Sequence, residues 1–331
     1  MKARPEPTLS VVIPFYNERE ALPECLARLR RVLSALDESA ELVFVDDGSD
    51  DGSADCIANQ QPGDLDIRLL RLSRNFGKEA AMTAGLEHAR GLAMIVMDAD
   101  LQDPPELIPA MVARWQQGVD VVQMQRRQRL GESWVKRASA HAFYRLLQRV
   151  SPSPIPVDTG DFRLMSRRTV DALLRMPERN RYMKGLYAWV GMRTAVLQYD
   201  RAARRAGHSQ WDYPALTALA VEGITSFSVA PLRLATLAGL VIAAVGLLFG
   251  TWIVAKALLL GDPVTGYPSL VTIITLLGGM QLFCIGIVGE YIGKMYLETK
   301  QRPLYLLQDN VLKPSTRPSA PGIPWRDQRF G

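Results

Sequence analysis

Two long apolar stretches near the carboxyl end constrain this chain more than any other feature of its sequence. Leu234 to Leu260 contains a single charge, Lys256, and Ser269 to Gly289 contains none. A helix needs about 20 apolar residues to cross the hydrocarbon core of a bilayer, so each stretch is long enough to cross once. A buried hairpin of a soluble protein is the alternative, which two stretches of this length disfavour. The sequence therefore predicts two transmembrane helices.

The charges beside these stretches predict their orientation. Asp262 is the only charged residue between them, whereas Arg233 precedes the first stretch and Lys294, Lys300 and Arg302 follow the second. Cytoplasmic flanks carry an excess of lysine and arginine in membrane proteins. We therefore expect an integral protein of the inner or plasma membrane with both termini in the cytoplasm.

Outside the two apolar stretches, charged and apolar residues are interspersed. This mixture predicts a soluble domain, which we expect to lie in the cytosol. The 331 residues exceed one average domain of about 100 to 200 residues, which leaves room for a soluble core and an appendage. The opening MKARPEPTLS lacks the apolar segment of a secretory signal. We expect reduced thiols in the cytosol. Neither a disulfide framework nor a zinc spacing is visible in the cysteines and histidines, which are Cys25, Cys56, Cys284, His88, His141 and His208.

Strands and helices alternate along the first 125 residues. We predict one helix from Asn17, as its N-cap, to about Leu36, another after Asn75, and a third from Pro104 to about Gln117. The short apolar runs between them predict strands, at Leu9–Pro14, Glu41–Asp46, Ile67–Leu72, Met94–Met97 and Asp120–Gln125. This alternation predicts an α/β fold with a doubly wound, mainly parallel sheet.

Acidic residues stand at the ends of these strands. Asp98, Asp100 and Gln102 follow the fourth strand in MDADLQDPPE, and Asp46 ends the second. In an open α/β sheet, ligands bind outside the carboxyl ends of the strands, so these side chains should border one cleft. Hard oxygen ligands at this spacing suit Mg²⁺ or Mn²⁺, which share their coordination with substrate phosphates. A solvated acidic turn before a helix is the alternative for D-x-D alone.

The sequence contains neither G-x-G-x-x-G nor G-x-x-x-x-G-K-[ST]. Rossmann dinucleotide enzymes and P-loop enzymes are therefore disfavoured. A nucleotide site that holds its diphosphate through a metal remains. The carboxylate of Asp46 is able to accept a hydrogen bond from N3–H of uracil or from the corresponding edge of guanine.

Seven blocks follow one another along the chain. They are VVIPFYNE, VDDGSDDGS, NFGKEAAMTAG, MDADLQDPPE, DTGDFRLMSR, R-x-x-R-x-x-G-x-S at Arg201 to Ser209, and GIVGEYIGKMYLETKQRP. These blocks resemble the family 2 glycosyltransferases with the GT-A fold. More narrowly, they are similar to the polyprenyl-phosphate hexosyltransferases, the group that contains dolichol-phosphate mannosyltransferase and the bactoprenol glucosyltransferases. The resemblance covers nearly the whole chain in the expected order.

This resemblance implies a role for particular residues at the donor site. It implies that Asp46 binds the base and that Ala99 lies against the nucleotide. The residues that would border the base and ribose are Pro14, Tyr16 and Glu18. The residues that would carry Mg²⁺ or Mn²⁺ on the donor diphosphate are Asp98, Asp100 and Gln102.

The block near residue 204 departs from the family pattern. The resemblance implies that Arg204 contacts the diphosphate, and a lysine usually follows the serine of this block. Gln210 stands at that position here. An amide donates a hydrogen bond but does not offset phosphate charge. Either Arg205 takes over or donor binding is weaker, and the sequence leaves both open.

A basic region precedes the second half of the domain. Ser133 to Val150 predicts a helix within it, and the alternative use of its charges is a solvated helix face. Because membrane spans follow in the same chain, contact with anionic head groups is favoured, and no recognition motif points to nucleic acid. The resemblance places acceptor-phosphate contacts at Arg126 or Arg127 and at Arg137. The basic residues are Arg126, Arg127, Arg129, Lys136, Arg137, Arg145 and Arg149, against the single acid Glu132.

Asp158 and Asp161 occupy the position where the wider fold often keeps a general base. A phosphate monoester has a second pKa of about 6, so it is already a competent nucleophile at neutral pH and needs little help from a base. We expect Asp161 to position the acceptor or to tune its charge. An ion pair with Arg163 or another basic neighbour is an equal alternative.

The chain divides into four predicted parts. Residues 1–212 form the GT-A catalytic domain, 213–230 an interfacial amphipathic helix, 231–293 the transmembrane hairpin, and 294–331 a cytosolic tail. From Pro303 onward we expect an extended or disordered segment. Small residues on the spans permit pairing into a homo-oligomer.

We predict an inverting, metal-dependent hexosyltransferase with a nucleotide-sugar donor and a polyprenyl phosphate acceptor. Asp100 and Asp161 are the predicted catalytic residues. UDP-glucose and undecaprenyl phosphate are the substrates that the resemblance favours, and mannose, galactose or an aminosugar remain open. A processive synthase would need a Q-x-x-R-W block and more spans. A non-catalytic nucleotide-binding scaffold is disfavoured by the intact acidic triplet.

Overall fold

The computed structural model describes residues 7–60, 65–126, 159–179, 181, 183–199, 225, 229–260 and 266–308. In these ranges seven strands form one sheet of order β3-β2-β1-β4-β6-β5-β7. The strands are β1 Leu9–Phe15, β2 Ala40–Asp46, β3 Asp66–Arg71, β4 Ala93–Val96, β5 Val121–Arg126, β6 Thr159–Ser166 and β7 Thr194–Tyr199.

Helices cover both faces of this sheet and continue beyond it. A short 3₁₀ turn at Pro105–Leu107 leads into the fourth helix. The helices are α1 Leu22–Ser34, α2 Ser53–Ala58, α3 Lys78–His88, α4 Ile108–Gln116, α5 Arg167–Leu174, α6 Met183–Val190, α7 Ala230–Leu260 and α8 Tyr267–Thr299.

The predicted sheet is confirmed, with one antiparallel strand in it. Strand β1 pairs in parallel with β2 and β4, and β2 pairs in parallel with β3. Strand β6 runs antiparallel between β4 and β5. The sequence did not predict β6, because its charged residues Asp161 and Arg163 interrupt the apolar positions. Arg163 is nevertheless buried beside Phe162 and Leu164.

Two apolar layers pack against the two faces of the sheet. Val11 and Ile13 of β1 lie in one layer with α1 and α4. Val12 lies in the other layer with α3, α5 and α6. A strand that is buried on both faces reads as a continuous apolar run, which is why β1 was predictable from its sequence.

Helix α3 packs closely on the sheet at Gly85. A Cβ added there would overlap Cγ1 of Val12 and lie 3.0 Å from Cγ2 of Val45. We expect Gly85→Ala to lower the free energy of unfolding by about 1–3 kcal/mol through overpacking, although alanine is the better helix former. Unfolding of the full chain in detergent measures this. Gly246→Ala is the matched control, since nothing in the described ranges lies within 4 Å of the added Cβ; equal stability of both variants would contradict the expectation.

The predicted N-cap of the first helix is wrong. Asn17 adopts a positive φ of 54°, and its Oδ1 accepts a hydrogen bond from the Asp50 amide at 3.1 Å. The Asn17 amide donates to Ser49 Oγ at 3.0 Å. The side chain therefore fixes the loop after β2 instead of capping a helix, and α1 begins only at Leu22.

The two apolar helices are present as α7 and α8. Each contains a segment long and apolar enough to cross a membrane, Pro231–Ile253 and Leu276–Thr299, and neither segment is buried within the protein. Both helices extend beyond the stretches predicted from sequence. The predicted helices at 133–150 and 213–229 lie outside the described residues, except for Thr225 and Val229.

The carboxyl end of α8 contacts the α/β domain. The Glu298 carboxylate accepts the Arg179 backbone N–H at 2.8 and 3.0 Å. Further on, the Ser73 amide donates to the Leu306 carbonyl at 2.8 Å. Tyr305 donates its hydroxyl to Glu87 Oε2 at 2.6 Å. The beginning of the segment predicted as an extended or disordered tail is thus extended and packed beside β3 and α3.

Candidate active site

A cleft of about 340 Å³ opens at the carboxyl ends of β1 and β4. These strands are neighbours at the centre of the sheet, where the chain order changes direction. This is the position at which open α/β sheets bind their ligands. The cleft brings together six of the residues predicted for the donor and metal site: Pro14, Tyr16, Glu18, Asp98, Ala99 and Asp100.

The turn after β4 shapes the acidic motif. Leu101 adopts a positive φ of 57°, and the Gln102 amide donates to Asp100 Oδ1 at 3.1 Å. Asp98 and Asp100 line the cleft, whereas the side chain of Gln102 is buried and is not among the lining residues. The sharp turn therefore presents two carboxylates to the cleft and turns the chain toward α4.

The donor set of this turn fits Mg²⁺ or Mn²⁺. Both ions prefer hard oxygen ligands, which the carboxylates of Asp98 and Asp100 supply. Among the described residues, no group of three or more histidine, cysteine, aspartate or glutamate side chains is close enough to hold a metal alone. A site built on two carboxylates leaves coordination positions for substrate phosphates, for water and for a third side chain.

The two acids after β2 have different surroundings. Asp46 is buried and accepts the Ser49 amide at 2.9 Å, and it is not among the residues that line the cleft. Asp47 does line the cleft and accepts the amides of Phe76 at 2.8 Å and Gly77 at 2.9 Å. Burial raises the pKa of Asp47, although the two amide hydrogen bonds oppose the rise. Asp47 thus anchors the loop before α3, a role that the pair of acids in the sequence did not reveal.

Lys78 joins two acids that are far apart in the sequence. Its ammonium lies 2.6 Å from Asp98 Oδ1 and 2.7 Å from Asp161 Oδ2. Since both oxygens contact the same nitrogen at these distances, they lie no more than about 5.3 Å from each other. Lys78 is the first residue of α3 and lines the cleft. Lys78 belongs to the block NFGKEAAMTAG, but nothing in the sequence predicted a role for it.

The antiparallel strand β6 explains how Asp161 reaches this position. Val96 of β4 stands opposite Arg163 of β6. Two residues beyond this last pair, the same antiparallel register would set Asp98 opposite Asp161, and both carboxylates contact the Lys78 ammonium. A parallel neighbour would have placed its carboxyl end here instead, so the direction of β6 is what brings Asp161 to Asp98.

The charges of this group shift one another's pKa values. Burial opposes ionisation of Asp161, but the positive charges of Lys78 and Lys184 hold its pKa below the usual range of aspartate. Burial likewise opposes the charge on Lys78, yet Asp98 and Asp161 raise its pKa above the usual value. Asp161 is therefore ionised and Lys78 protonated throughout the neutral range.

Polar side chains continue beneath Asp161. The Arg163 guanidinium lies 3.7 Å from the centre of the Tyr187 ring and donates to the Gly160 carbonyl at 2.7 Å. Burial lowers the pKa of Arg163. Of the five buried side-chain polar atoms that lack a hydrogen-bond partner within the described ranges, three belong to residues near Asp161, namely Arg163 Nε, Tyr187 Oη and Glu79 Oε2. The buried surroundings of Asp161 are therefore polar, and some of their hydrogen-bonding atoms have no partner within the described ranges.

The state of Glu79 makes stability depend on pH. Burial and the nearby charge of Asp161 raise the pKa of Glu79 from 4.5 to about 7. Between these two values the folded protein binds more protons than the unfolded chain, so stability falls as pH rises through this window. We expect Glu79→Gln to melt at a higher temperature than the unmodified protein at pH 8 and at a similar temperature at pH 4.5.

Thermal unfolding of the full chain in detergent at the two pH values measures this difference. Glu24→Gln, at an exposed position of α1, is the control for the loss of a surface carboxylate. A Glu79→Gln effect of the same size at both pH values would show that lost packing, and not ionisation, is responsible.

Several predicted site residues fall wholly or in part outside the described residues. Arg126 ends β5, and its side chain lies outside the described part of the structure. The remaining predicted residues lie outside the described residues altogether, and these are Arg127, Arg137, Asp158, Arg204, Arg205 and Gln210. Their assignments to the acceptor phosphate, to catalysis and to the diphosphate stay predictions.

Comparison with known protein families gives two matches along the chain. Residues 10–174 match the model of Glycosyl transferase family 2. Residues 230–295 match the model of the GtrB C-terminal hairpin. The first match spans the strands and loops that form the cleft, and the second spans α7 and most of α8.

Individual proteins are similar over nearly the whole chain. An uncharacterized glycosyltransferase of Synechocystis is 46% identical over 91% of this chain and 95% of its own length. The bactoprenol glucosyl transferase of Shigella phage SfV is 44% identical over 92% of this chain and 99% of its own length. A prophage bactoprenol glucosyl transferase homolog of Escherichia coli K12 is 44% identical over 91% and 98%. Among solved structures, glucosyl-3-phosphoglycerate synthase from Mycobacterium tuberculosis covers 66% of this chain and 78% of its own at 19% identity, with a TM-score of 0.45.

Proposed function

Since this chain belongs to glycosyl transferase family 2 and is a glycosyltransferase, we propose that it moves one hexose from a nucleotide sugar to a polyprenyl phosphate. The observation that carries the proposal is the pair of carboxylates, Asp98 and Asp100, that line a cleft of about 340 Å³ at the carboxyl ends of β1 and β4, with Asp161 joined to Asp98 through the Lys78 ammonium. A cleft of that size is within the range of small-molecule sites.

The donor would occupy the cleft between β1 and β4. Tyr16 is 45% exposed there and offers an aromatic face to a base. Asp98 and Asp100 would hold Mg²⁺ or Mn²⁺, with Gln102 as the third proposed ligand. A bound divalent ion supplies positive charge to the departing diphosphate, which is the Lewis-acid role of a metal. Asp46, which is buried and does not line the cleft, stays the proposed contact of the base.

The acceptor proposal has two supports. Relatives named bactoprenol glucosyl transferases are 44% identical over more than nine tenths of this chain. In addition, α7 and α8 carry apolar segments long enough to cross a bilayer. The hydrogen bonds from Arg179 to Glu298 tie the α/β domain to the end of α8, so a lipid phosphate at the membrane surface and a soluble donor would meet at one domain.

Transfer in this arrangement would invert the configuration of the sugar. The phosphate oxygen of the acceptor attacks the anomeric carbon from the face opposite the leaving nucleoside diphosphate. A phosphate monoester is largely a dianion at neutral pH, so attack requires no proton to be removed. Asp161, held by Lys78 in the ionised form, would orient the acceptor and not deprotonate it.

We place the catalytic domain and both termini in the cytoplasm. Arg233 lies near the start of α7, Lys294 and Lys300 lie at the carboxyl end of α8, which contacts the α/β domain through Glu298, and Asp262 lies between the two helices. This pattern follows the positive-inside rule. The donor would then be drawn from the cytosolic pool of nucleotide sugars, and the product would form on the cytoplasmic leaflet.

UDP-glucose is the proposed donor, because the named relatives are glucosyl transferases. The test is to incubate the purified full chain, undecaprenyl phosphate and Mg²⁺ or Mn²⁺ with UDP-glucose, UDP-galactose, GDP-mannose or a UDP-aminosugar, and to weigh the lipid product. We expect a single hexose on the lipid with UDP-glucose. Transfer from another donor would correct the sugar alone, a longer glycan would indicate a synthase, and tight nucleotide binding without any transfer would indicate a scaffold.

A further inference from the structure

We propose that Lys78 is a positioning residue that holds Asp161 beside Asp98 and competes with the divalent ion for the Asp98 carboxylate. The inference rests on the proposed function, in which Asp98 is a metal ligand and Asp161 orients the acceptor. Lys78 would then link Asp98, on the donor side of the site, to Asp161, on the acceptor side.

The contacts of Lys78 are those of a bridge. Its ammonium lies 2.6 Å from one oxygen of Asp98 and 2.7 Å from one oxygen of Asp161. The exposed fraction of the side chain is 24% for Asp98 and 13% for Asp161. Two carboxylates this close repel each other strongly when water is partly excluded. A single ammonium between them removes that repulsion and fixes the distance between them.

The position of Lys78 in its helix is otherwise unfavourable. A cation in the first turn of a helix opposes the positive end of the helix dipole, and acidic residues are the stabilising choice there. The helix itself cannot swing away, because Asp47 holds the amides of Phe76 and Gly77 just before it and Gly85 packs tightly on Val12. Among the described residues, Asp98 and Asp161 are the carboxylates that form ion pairs with this lysine and offset its charge.

A divalent ion on Asp98 would meet the charge of Lys78 a few ångströms away. Ion and ammonium repel each other, so the ion must take over the Asp98 oxygen that Lys78 contacts or share that carboxylate with it. Lys78 would keep its contact with Asp161 in either case. With an ion bound at Asp98, the ion pair of Lys78 with Asp161, the carboxylate on the acceptor side, would therefore become stronger.

Metal affinity measured without any nucleotide sugar tests the first part. Lys78→Met removes the competing charge and should tighten Mn²⁺ binding by about tenfold, the effect of one unit charge about 5 Å from a divalent ion in a water-like medium. Lys78→Arg should bind Mn²⁺ as the unmodified protein does. Free Mn²⁺ in a titration of the full chain in detergent, followed by electron paramagnetic resonance, gives the affinities.

The matched control is Arg71→Met. It removes an ion pair of similar length, 2.7 Å to Asp55, on the exposed side of β3 and α2. We expect its Mn²⁺ affinity and its transfer rate to be unchanged. Unchanged or weaker Mn²⁺ binding by Lys78→Met, in protein that melts as the control does, would overturn the competition.

A double-mutant cycle tests the second part. Lys78→Met alone should lower kcat for transfer by about thirtyfold with little change in the KM of the donor, because Asp161 loses the contact that orients it. In an Asp161→Asn background the same change should cost less than threefold, since the two residues act as a unit. Independent, multiplicative effects of the two changes would overturn the positioning role.

The two arms separate this inference from the proposed function. If the unmodified protein transfers no sugar from any donor to any lipid phosphate, the proposed function fails, while the Mn²⁺ titrations still decide whether Lys78 competes at Asp98. In another outcome, transfer is robust while Lys78→Met neither tightens Mn²⁺ binding nor shows coupling to Asp161 in the double-mutant cycle. The proposed function then stands, and Lys78 forms a structural ion pair only.

Discussion

Asp98→Asn or Asp100→Asn is expected to lower the rate of hexose transfer by about a thousandfold. Each change keeps the shape of the side chain but removes one of the two negative charges that the turn after β4 presents to the cleft. Charge stabilisation by a divalent ion is worth several kcal/mol in the transition state, and 1.36 kcal/mol corresponds to a factor of ten. Mass analysis of the glycosylated lipid over time measures the rate.

The fold should survive both substitutions. Lys78 retains Asp161 when Asp98 becomes neutral, and the backbone turn at Leu101 does not depend on the charge of Asp100. Melting temperature and insertion into the membrane fraction should therefore match those of the unmodified protein. Asp55→Asn is the control, at an exposed carboxylate paired with Arg71. Full transfer activity in either cleft variant would remove the metal site from the proposed mechanism.

Asp161→Asn has the second largest expected effect, a loss of about a hundredfold in kcat. A displacement of about 1 Å in a reacting group costs roughly that much, and Asp161 loses both its charge and its ion pair to Lys78. The KM for the donor should change little, because Asp161 comes from β6 on the acceptor side. A rise in donor KM with unchanged kcat would instead assign Asp161 to donor binding.

The pH dependence of transfer separates positioning from general-base catalysis. The charges of Lys78 and Lys184 hold the pKa of Asp161 below its usual range, so Asp161 stays ionised as the pH falls through 6. The acceptor phosphate, with a second pKa of about 6, gains a proton in that range. We therefore expect kcat to fall below about pH 6 in the unmodified protein and at the same pH in Asp161→Asn. Disappearance of this acidic limb in the variant would identify Asp161 as the titrating group.

Residues with a strong local pattern were predictable. The apolar runs of β1, β2 and β4 are buried on both faces and bounded by turn residues. The local sequence alone was therefore enough to predict that they form strands. The same holds for α7 and α8, whose length and lack of charge fix their class. The acidic residues of MDADLQDPPE could be assigned to the carboxyl edge of the sheet because strand direction decides which edge a following turn occupies.

Residues whose role depends on a distant partner were not predictable. Asparagine is a common N-cap residue, but the Asn17 side chain instead accepts a hydrogen bond from the Asp50 amide in the loop after β2. The end of α8 and the segment after it gave no sign that they pack on the α/β domain through Glu298 and Tyr305. These contacts join residues far apart in the chain, and periodicity describes only residues that are near one another in sequence.

The sequence by itself determined the mainly parallel sheet, the two apolar helices, and the edge on which Asp98 and Asp100 stand, because each follows from local hydrophobic periodicity and strand direction. Only the tertiary structure decided that β6 runs antiparallel beside β4, and that Asp161 thereby comes within reach of the ammonium that contacts Asp98. Pairing between distant strands is chosen by the packing of the whole sheet, so the meeting of these charged groups is a property of the fold and of no single segment.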